Sequence, residues 1–131
     1  AFAHQGVPVS HQAFFAQAEV IQELADQGPC VIVGRNADYI LKDRPDALHV
    51  YVSADLDFRE KHIVELYGET DKTPEQRLNE KDKRRRVNYQ HYTGRTWGQA
   101  QNYDLCLRSS TLGFDQCAQI IINAVEKSKE K

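Results

Sequence analysis

Three short apolar runs, each preceded by a segment with helical periodicity, constrain the fold more than any other feature of this chain. They occupy residues 30–33 (CVIV), 48–52 (LHVYV) and 103–107 (YDLCL). The first run is continuous and β-branched, as expected of a strand that is buried on both faces of a sheet. Strands that alternate with helices need crossover connections, which produce a parallel sheet. The sequence therefore predicts an α/β protein with the element order α-β-α-β-α-α-β-α.

The helical segments carry local start and stop signals. Thr73 can cap a helix whose first position is Pro74, and Gln76 stands where a capping box needs it. Ser10 and Asp55 stand at the expected starts of two other helices. We expect helices at residues 10–27, 36–41, 55–67 and 73–92 and from 114 onward, and a loop at residues 1–8.

Positive charge is concentrated in one segment. Between Arg77 and Arg95 stand seven Lys or Arg and two Asp or Glu, a net charge of +5. The whole chain carries −2, so the remainder carries −7. Such a segment is either a solvated helix face or a site for a phosphorylated ligand. Nucleic acid is a third candidate because Tyr89, Tyr92 and Trp97 are interleaved with the cations, although the acidic remainder would repel a long polyanion.

Candidate binding residues follow the apolar runs, because parallel sheets bind ligands beyond the carboxyl ends of their strands. Gly34 permits a sharp turn after the first run, and Arg35 can project into the crevice to bind an anion or a base. A surface arginine is the alternative. Asn36 either caps the next helix, the interpretation that we favour, or contacts a ligand. After the second run, Asp55 is interpreted as a helix cap and Arg59 as a surface charge or a structural ion pair.

The densest cluster of cations is the run Lys81-Asp82-Lys83-Arg84-Arg85-Arg86. Neighbouring cations on a helix repel one another by roughly a few tenths of a kcal/mol per close pair, and a bound polyphosphate would relieve that repulsion. On a helix, positions 81, 84, 85 and 88 share a face, and positions 83 and 86 lie on another. One face can therefore meet phosphates while the other meets solvent.

The remaining cysteines, histidines and apolar stretches indicate no catalytic, metal or membrane site. Cys30, Cys106 and Cys117 stand among apolar neighbours without a CxxC spacing, and we interpret them as buried thiols of a protein in the reducing cytoplasm. The five histidines form no metal-ligand spacing, so we expect no metal site made by the protein alone. No stretch approaches the roughly 18 apolar residues of a membrane helix, and residues 1–10 show no signal peptide. We expect no membrane partner.

Three blocks of the sequence resemble the cytidylate kinase-like proteins, relatives of bacterial cytidylate kinase. GPCVIVGRNADYIL at residues 28–41 is similar to the central block of that family. DKRRRVNYQHYTGRTWG at residues 82–98 is the most specific match, and it leads into NYDLCLRSSTLG at residues 102–113. The resemblance implies the three-layer, parallel-sheet α/β fold of P-loop nucleoside monophosphate kinases. The chain length predicts a single domain over residues 1–131. The resemblance implies that this domain is a partial nucleoside monophosphate kinase-like core with a basic lid at about residues 73–98.

The resemblance also implies an activity, the transfer of the γ-phosphoryl group of ATP, with Mg²⁺, to a nucleoside monophosphate, typically CMP or dCMP. Such a reaction depends mostly on positioning and on charge neutralisation. The lid would close its cations over the phosphates of both nucleotides and exclude water. The implied catalytic residues are Lys81, Arg84 and Arg85, and the implied substrate-binding residues are Gly34, Arg35, Asn36, Asp82 and Lys83.

The sequence departs from the family pattern at two places. No GxxxxGK[ST] motif occurs in the 131 residues, whereas in the family this loop follows the first strand and cradles the ATP phosphates. We therefore expect that strand and its loop to come from a preceding segment or from another chain. Asn36 follows Arg35 where cytidylate kinases often have Asp, and Asp82 is the remaining acid of the lid, which leaves the base preference open.

Two alternative functions also stay open. The first is a nucleotide- or polyphosphate-binding protein of the same fold without catalytic activity, which the absent motif favours. The second, less favoured, is an RNA-binding module that uses the basic and aromatic stretch. The expected partners are ATP and a nucleoside monophosphate in the cytoplasm, and an oligomer is compatible with the sequence.

Overall fold

The structure, a computed structural model, describes residues 9–130. The chain forms two compact units, Ala1–Ala47 and Leu48–Lys131. The loop expected at residues 1–8 lies outside the described residues. Among the residues that are described, no helix is long and apolar enough to cross a membrane.

The first unit is built around α1, the helix Val9–Gln27. One face of α1 is apolar and packs inward: Ile21 is buried, and Phe14, Ala18 and Ala25 on the same face are half-buried. The short helix α2 (Ala37–Ile40) also forms where it was expected. Beyond α2, the Arg44 guanidinium donates hydrogen bonds to the Asp26 carboxylate and to the Ala25 carbonyl oxygen. These bonds fasten the end of the unit to α1.

The strand predicted at residues 30–33 is wrong, because this segment has no regular secondary structure. Val31 is 92% exposed and Val33 is 85% exposed, so two of its apolar side chains face solvent. A strand exists only through main-chain hydrogen bonds to a neighbour, and within residues 9–130 no strand pairs with this segment. An apolar, β-branched composition cannot supply that partner.

The second unit contains a two-stranded parallel sheet of β1 (Val50–Ser53) and β2 (Leu105–Arg108). Val50 stands opposite Leu105 and Ser53 opposite Arg108, so both strands end at the same edge. The parallel pairing is as predicted, and the protein is a mixed α/β structure. The other elements of this unit are α3 (Leu56–Tyr67), α4 (Pro74–Thr93), a 3-10 turn (Ala100–Asn102), α5 (Ser109–Leu112) and α6 (Phe114–Ser128).

Helix α4 begins and ends where local chemistry places it. Thr73 Oγ1 accepts a hydrogen bond from Gln76 N at 3.2 Å, and Gln76 Oε1 accepts one from Thr73 N at 3.0 Å. This is the predicted capping box. Gly94 adopts a left-handed conformation after the last turn and closes the helix. The buried side chains of α4 are Leu78 and Tyr89, so most of its surface remains available to solvent or ligand.

Candidate functional site

The carboxyl edge of the sheet, where β1 ends at Ser53 and β2 ends at Arg108, is the first part of the site. Open parallel sheets bind their ligands beyond this edge. The Arg108 guanidinium donates to the Asp55 carboxylate. Ser109 Oγ donates to the Ser53 carbonyl oxygen at 3.0 Å, and Asp55 N donates to Ser110 Oγ at 2.9 Å. These bonds hold the ends of the two strands together.

The prediction that Asp55 caps a helix through its side chain is wrong. Asp55 stands at the N-cap position of α3, but its carboxylate makes no capping hydrogen bond. The carboxylate binds the Arg108 guanidinium instead, and this contact joins two opposite full charges. Sequence reasoning did not single out Arg108, although its place as the last residue of a strand could have done so.

A bidentate ion pair fixes α4 to the first turn of α3. Arg59 Nη1 and Nη2 donate to Asp82 Oδ2 and Oδ1 at 2.8 and 2.7 Å. The two side chains are only 29% and 22% exposed, and the Asp82 carboxylate raises the pKa of Arg59 above its usual value. The expectation of a structural ion pair at Arg59 is confirmed. Because α3 starts just after β1, this pair places the middle of α4 near the carboxyl edge.

Arg85 lies beside this ion pair. Its Nη1 atom is 3.6 Å from Asp82 Oδ1, and its side chain is 58% exposed. Tyr51 of β1 shares the same surroundings: burial raises the pKa of Tyr51, the Asp82 carboxylate raises it further, and the Arg59 and Arg85 guanidinium groups oppose that rise. Arg85 therefore combines proximity to the sheet with access for a ligand.

Lys83 and Arg84 face a different environment. Together with Lys72 and Glu80 they line an open cleft of about 270 Å³. Lys72 Nζ donates to both Glu80 carboxylate oxygens at 2.8 Å, and this contact lowers the pKa of Glu80. Both residues reach this cleft because they follow Glu80 by three and four positions on the helix.

The remaining predicted cations of α4 differ in their contacts. Lys81 Nζ lies 5.2 Å from the centroid of the Tyr67 ring, where the ring face attracts a cation. Arg86 is exposed. The structure thus brings Asp82 and Arg85 together and Lys83 and Arg84 together, while Lys81 packs against α3.

The aromatic residues after α4 form a packed cluster. The Tyr51 ring contacts Trp97 edge-to-face at a centroid distance of 5.6 Å and Tyr103 at 5.1 Å. Gly98 N donates to Tyr103 Oη at 3.3 Å. Within α4 itself, Tyr89 is only 3% exposed. These contacts weigh against an RNA-binding surface, which needs exposed ring faces for base stacking.

The turn after residues 30–33 belongs to the first unit. Gly34, Arg35 and Asn36 have φ values of 68°, 62° and 56°, and Ala37 N donates to the Gly34 carbonyl oxygen at 3.1 Å. The sharp turn predicted at Gly34 is therefore present, with Arg35 exposed. Asn36 occupies the N-cap position of α2 but makes no side-chain capping bond, contrary to the favoured interpretation, because its own backbone is left-handed.

The cysteines depart from expectation. Cys117 is buried, but Cys30 and Cys106 are exposed, so the prediction of three buried thiols holds for one. Cys30 is exposed because its segment pairs with no strand among residues 9–130. Across that same range, no three His, Cys, Asp or Glu side chains are grouped so that they could hold a metal ion.

The chain matches a known protein family over most of its length. The model of the cytidylate kinase-like family matches residues 2–111, which is most of the chain. The chain belongs to the cytidylate kinase-like family. Membership of this family indicates in general terms that the chain is related to kinases and to nucleotide-binding proteins. It agrees with the resemblance seen in the sequence.

A solved structure resembles this cytidylate kinase-like protein closely in fold. The crystal structure of an uncharacterized protein from Eubacterium ventriosum is 27% identical, with a TM-score of 0.84. The match covers 92% of this chain and 69% of that one. No curated protein matches the chain.

Proposed function

We propose that this cytidylate kinase-like protein transfers the γ-phosphoryl group of ATP to a nucleoside monophosphate, CMP or dCMP, within a P-loop nucleoside monophosphate kinase fold. One observation carries the proposal. In a chain of this family, the ion pair between Arg59 and Asp82 holds the strongly cationic helix α4 beside the carboxyl edge of a parallel sheet. Arg85 is exposed next to this ion pair.

The chain's own residues would act by neutralising and positioning phosphates. The phosphoryl group in flight spreads negative charge over its oxygens, and fixed cations stabilise that charge. We assign this role to Arg84, Arg85 and Lys81, and phosphate binding to Lys83. Arg35, in the turn with Gly34 and Asn36, is assigned to the monophosphate acceptor.

The Mg²⁺ ion that accompanies ATP needs no cage of protein side chains. It keeps several waters and binds through one or two carboxylates together with the substrate phosphates. The ion supplies charge neutralisation when it enters with the nucleotide, and we assign no residue to it.

The proposal includes a phosphate-binding loop from outside these 131 residues, since they contain no GxxxxGK[ST] motif. The test therefore uses the product of the complete reading frame. ADP formation from ATP and Mg²⁺ is measured with CMP, dCMP, UMP and AMP as acceptors. We expect turnover with CMP or dCMP, and no ADP formation with any acceptor would refute the catalytic function.

Binding without catalysis is the second candidate, and the absent motif favours it. It predicts saturable binding of mononucleotides by the same protein with no turnover. The RNA-binding alternative predicts instead a steep salt dependence with long oligonucleotides and no competition by mononucleotides. Calorimetry with CMP, ATP and a single-stranded oligonucleotide separates the RNA-binding alternative from the other two, and the measurement of ADP formation separates catalysis from binding alone.

A further inference from the structure

The Arg59 guanidinium binds the Asp82 carboxylate through two hydrogen bonds. Its two bonds, at 2.8 and 2.7 Å, engage both oxygens of Asp82. The pair is mostly shielded from solvent, with 29% and 22% of the two side chains exposed. Bidentate arginine–carboxylate pairs in such surroundings are strong and geometrically specific.

A second arginine is placed to compete for the same carboxylate. Arg85 follows Asp82 by three residues on α4, and its Nη1 atom is 3.6 Å from Asp82 Oδ1. That distance is too long for a hydrogen bond, yet a small change of side-chain rotamer would close it. Residues at i and i+3 on a helix are neighbours and form ion pairs readily.

We infer that Arg59 is a positioning residue, which occupies the Asp82 carboxylate and so leaves the Arg85 guanidinium available to the phosphate of a bound nucleotide. The inference rests on the proposed function. Arg59 itself contacts no substrate in this account.

Without Arg59, the Asp82 carboxylate loses the partner that binds both of its oxygens. A partly buried carboxylate that loses its partner carries a desolvation penalty. The cation already 3.6 Å away, Arg85, satisfies it at little conformational cost. The Arg85 side chain would then lie against its own helix and donate its hydrogen bonds to Asp82, so that it could not donate them to a ligand. Loss of Arg59, which does not contact the ligand, thus withdraws the Arg85 cation from the ligand.

The test is a double-mutant cycle on the full-length protein, with dissociation constants measured for CMP and for ATP. We expect Arg59→Met to weaken binding about tenfold, the effect of one lost charge-assisted contact. In the double variant Arg59→Met/Asp82→Asn the neutral amide cannot hold Arg85, and we expect the double variant to bind CMP and ATP as well as Asp82→Asn alone does. The single variant Asp82→Asn completes the cycle.

A matched control comes from another contact between the same helices. Arg77 Nη1 on α4 donates to the Gly68 carbonyl oxygen at the end of α3, at 2.7 Å. Arg77→Met removes a cation and an inter-helix bond but leaves Asp82 untouched, so we expect a change of about twofold or less. If Arg59→Met fails to fold, as judged by circular dichroism, Arg59→Lys keeps the charge without the bidentate geometry and should show a smaller loss.

Two results would overturn the inference: wild-type affinity in Arg59→Met, and the same loss from Arg59→Met whether or not Asp82→Asn is present. The second would mean that Arg59 acts on the ligand without Asp82.

A ligand-free measurement separates failure of this inference from failure of the proposed function. Phenylglyoxal modifies accessible arginines, and mass spectrometry gives the rate at each position. We expect Arg59→Met to slow the modification of Arg85 relative to that of the exposed Arg86. Unchanged relative rates contradict the inference even in an active kinase. Slowed modification in a protein that binds no nucleotide contradicts only the proposed function.

Discussion

Replacing Gly98 by Ala tests the packing of the aromatic cluster that follows α4. Gly98 has φ +81°, and a Cβ atom there would lie 3.0 Å from Tyr51 Oη and 3.2 Å from Tyr51 Cζ. The Tyr51 ring cannot move away cheaply, because Trp97 and Tyr103 pack against it. The substitution therefore combines a backbone cost with a steric one.

The two costs can be separated by a matched control. An L-residue in the left-handed region costs roughly 1–2 kcal/mol, and overpacking adds roughly 1–3 kcal/mol. Gly94 has φ +72° and no atom within 4 Å of its Cβ position, so Gly94→Ala bears only the backbone cost. We expect Gly98→Ala to lose about 2 kcal/mol more free energy of unfolding than Gly94→Ala, the midpoint of the range for overpacking.

Urea denaturation followed by tryptophan fluorescence is the assay. Trp97 is the sole tryptophan of the chain and belongs to the cluster, so its emission reports on the site directly. At an m-value of about 2 kcal/mol/M, the expected difference lowers the midpoint by about 1 M urea. Equal midpoints for the two variants would show that the contact with Tyr51 carries no energy. A difference that persists undiminished in a Tyr51→Phe background would show that the hydroxyl is not the obstacle.

Other substitutions test the basic helix α4, its N-terminal cap and the half-buried phenol of Tyr51. Arg84→Ala or Arg85→Ala should slow phosphoryl transfer by several-fold or more while Arg86→Ala has little effect; unchanged rates in the first two would refute the assignment of the lid. Thr73→Ala should lower the stability by about 1 kcal/mol because the capping box is lost, as thermal unfolding can measure. The raised pKa of Tyr51 means that the folded protein holds this proton more tightly than the unfolded chain. Its contribution to stability is therefore complete below pH 10 and is lost as the pH rises through the higher folded value; denaturation between pH 9 and 11 should show wild type losing stability relative to Tyr51→Phe, and parallel pH profiles would contradict this.

Features with local causes could be predicted from the sequence. The capping box at Thr73 and the glycine that ends α4 depend on residues within one turn, and both form as expected. The parallel pairing of β1 and β2 followed from the helices between them. The turn at Gly34 followed from the permissive backbone of glycine.

Features that depend on distant partners could not be predicted in this way. Residues 30–33 have the composition of a strand. A strand also needs a neighbouring strand to share main-chain hydrogen bonds, and composition does not show whether one is present. Asp55 has the position of a cap, but Arg108, 53 residues later, takes its carboxylate. The bond between Arg59 and Asp82 spans 23 residues, and no periodicity in the sequence indicates which of several nearby arginines Asp82 would bind.

Because cations crowd along α4, dissolved salt weakens the binding of a phosphorylated ligand in two ways. Mobile anions screen the repulsion among the cations of this helix, so added salt favours the ligand-free form. The same anions compete with phosphate for those side chains and weaken the complex. In dilute buffer, part of the measured affinity therefore comes from the ligand relieving the repulsion among these cations. Added salt relieves the same repulsion without the ligand, so that part of the affinity is lost. Variants of this helix are comparable only at one fixed ionic strength.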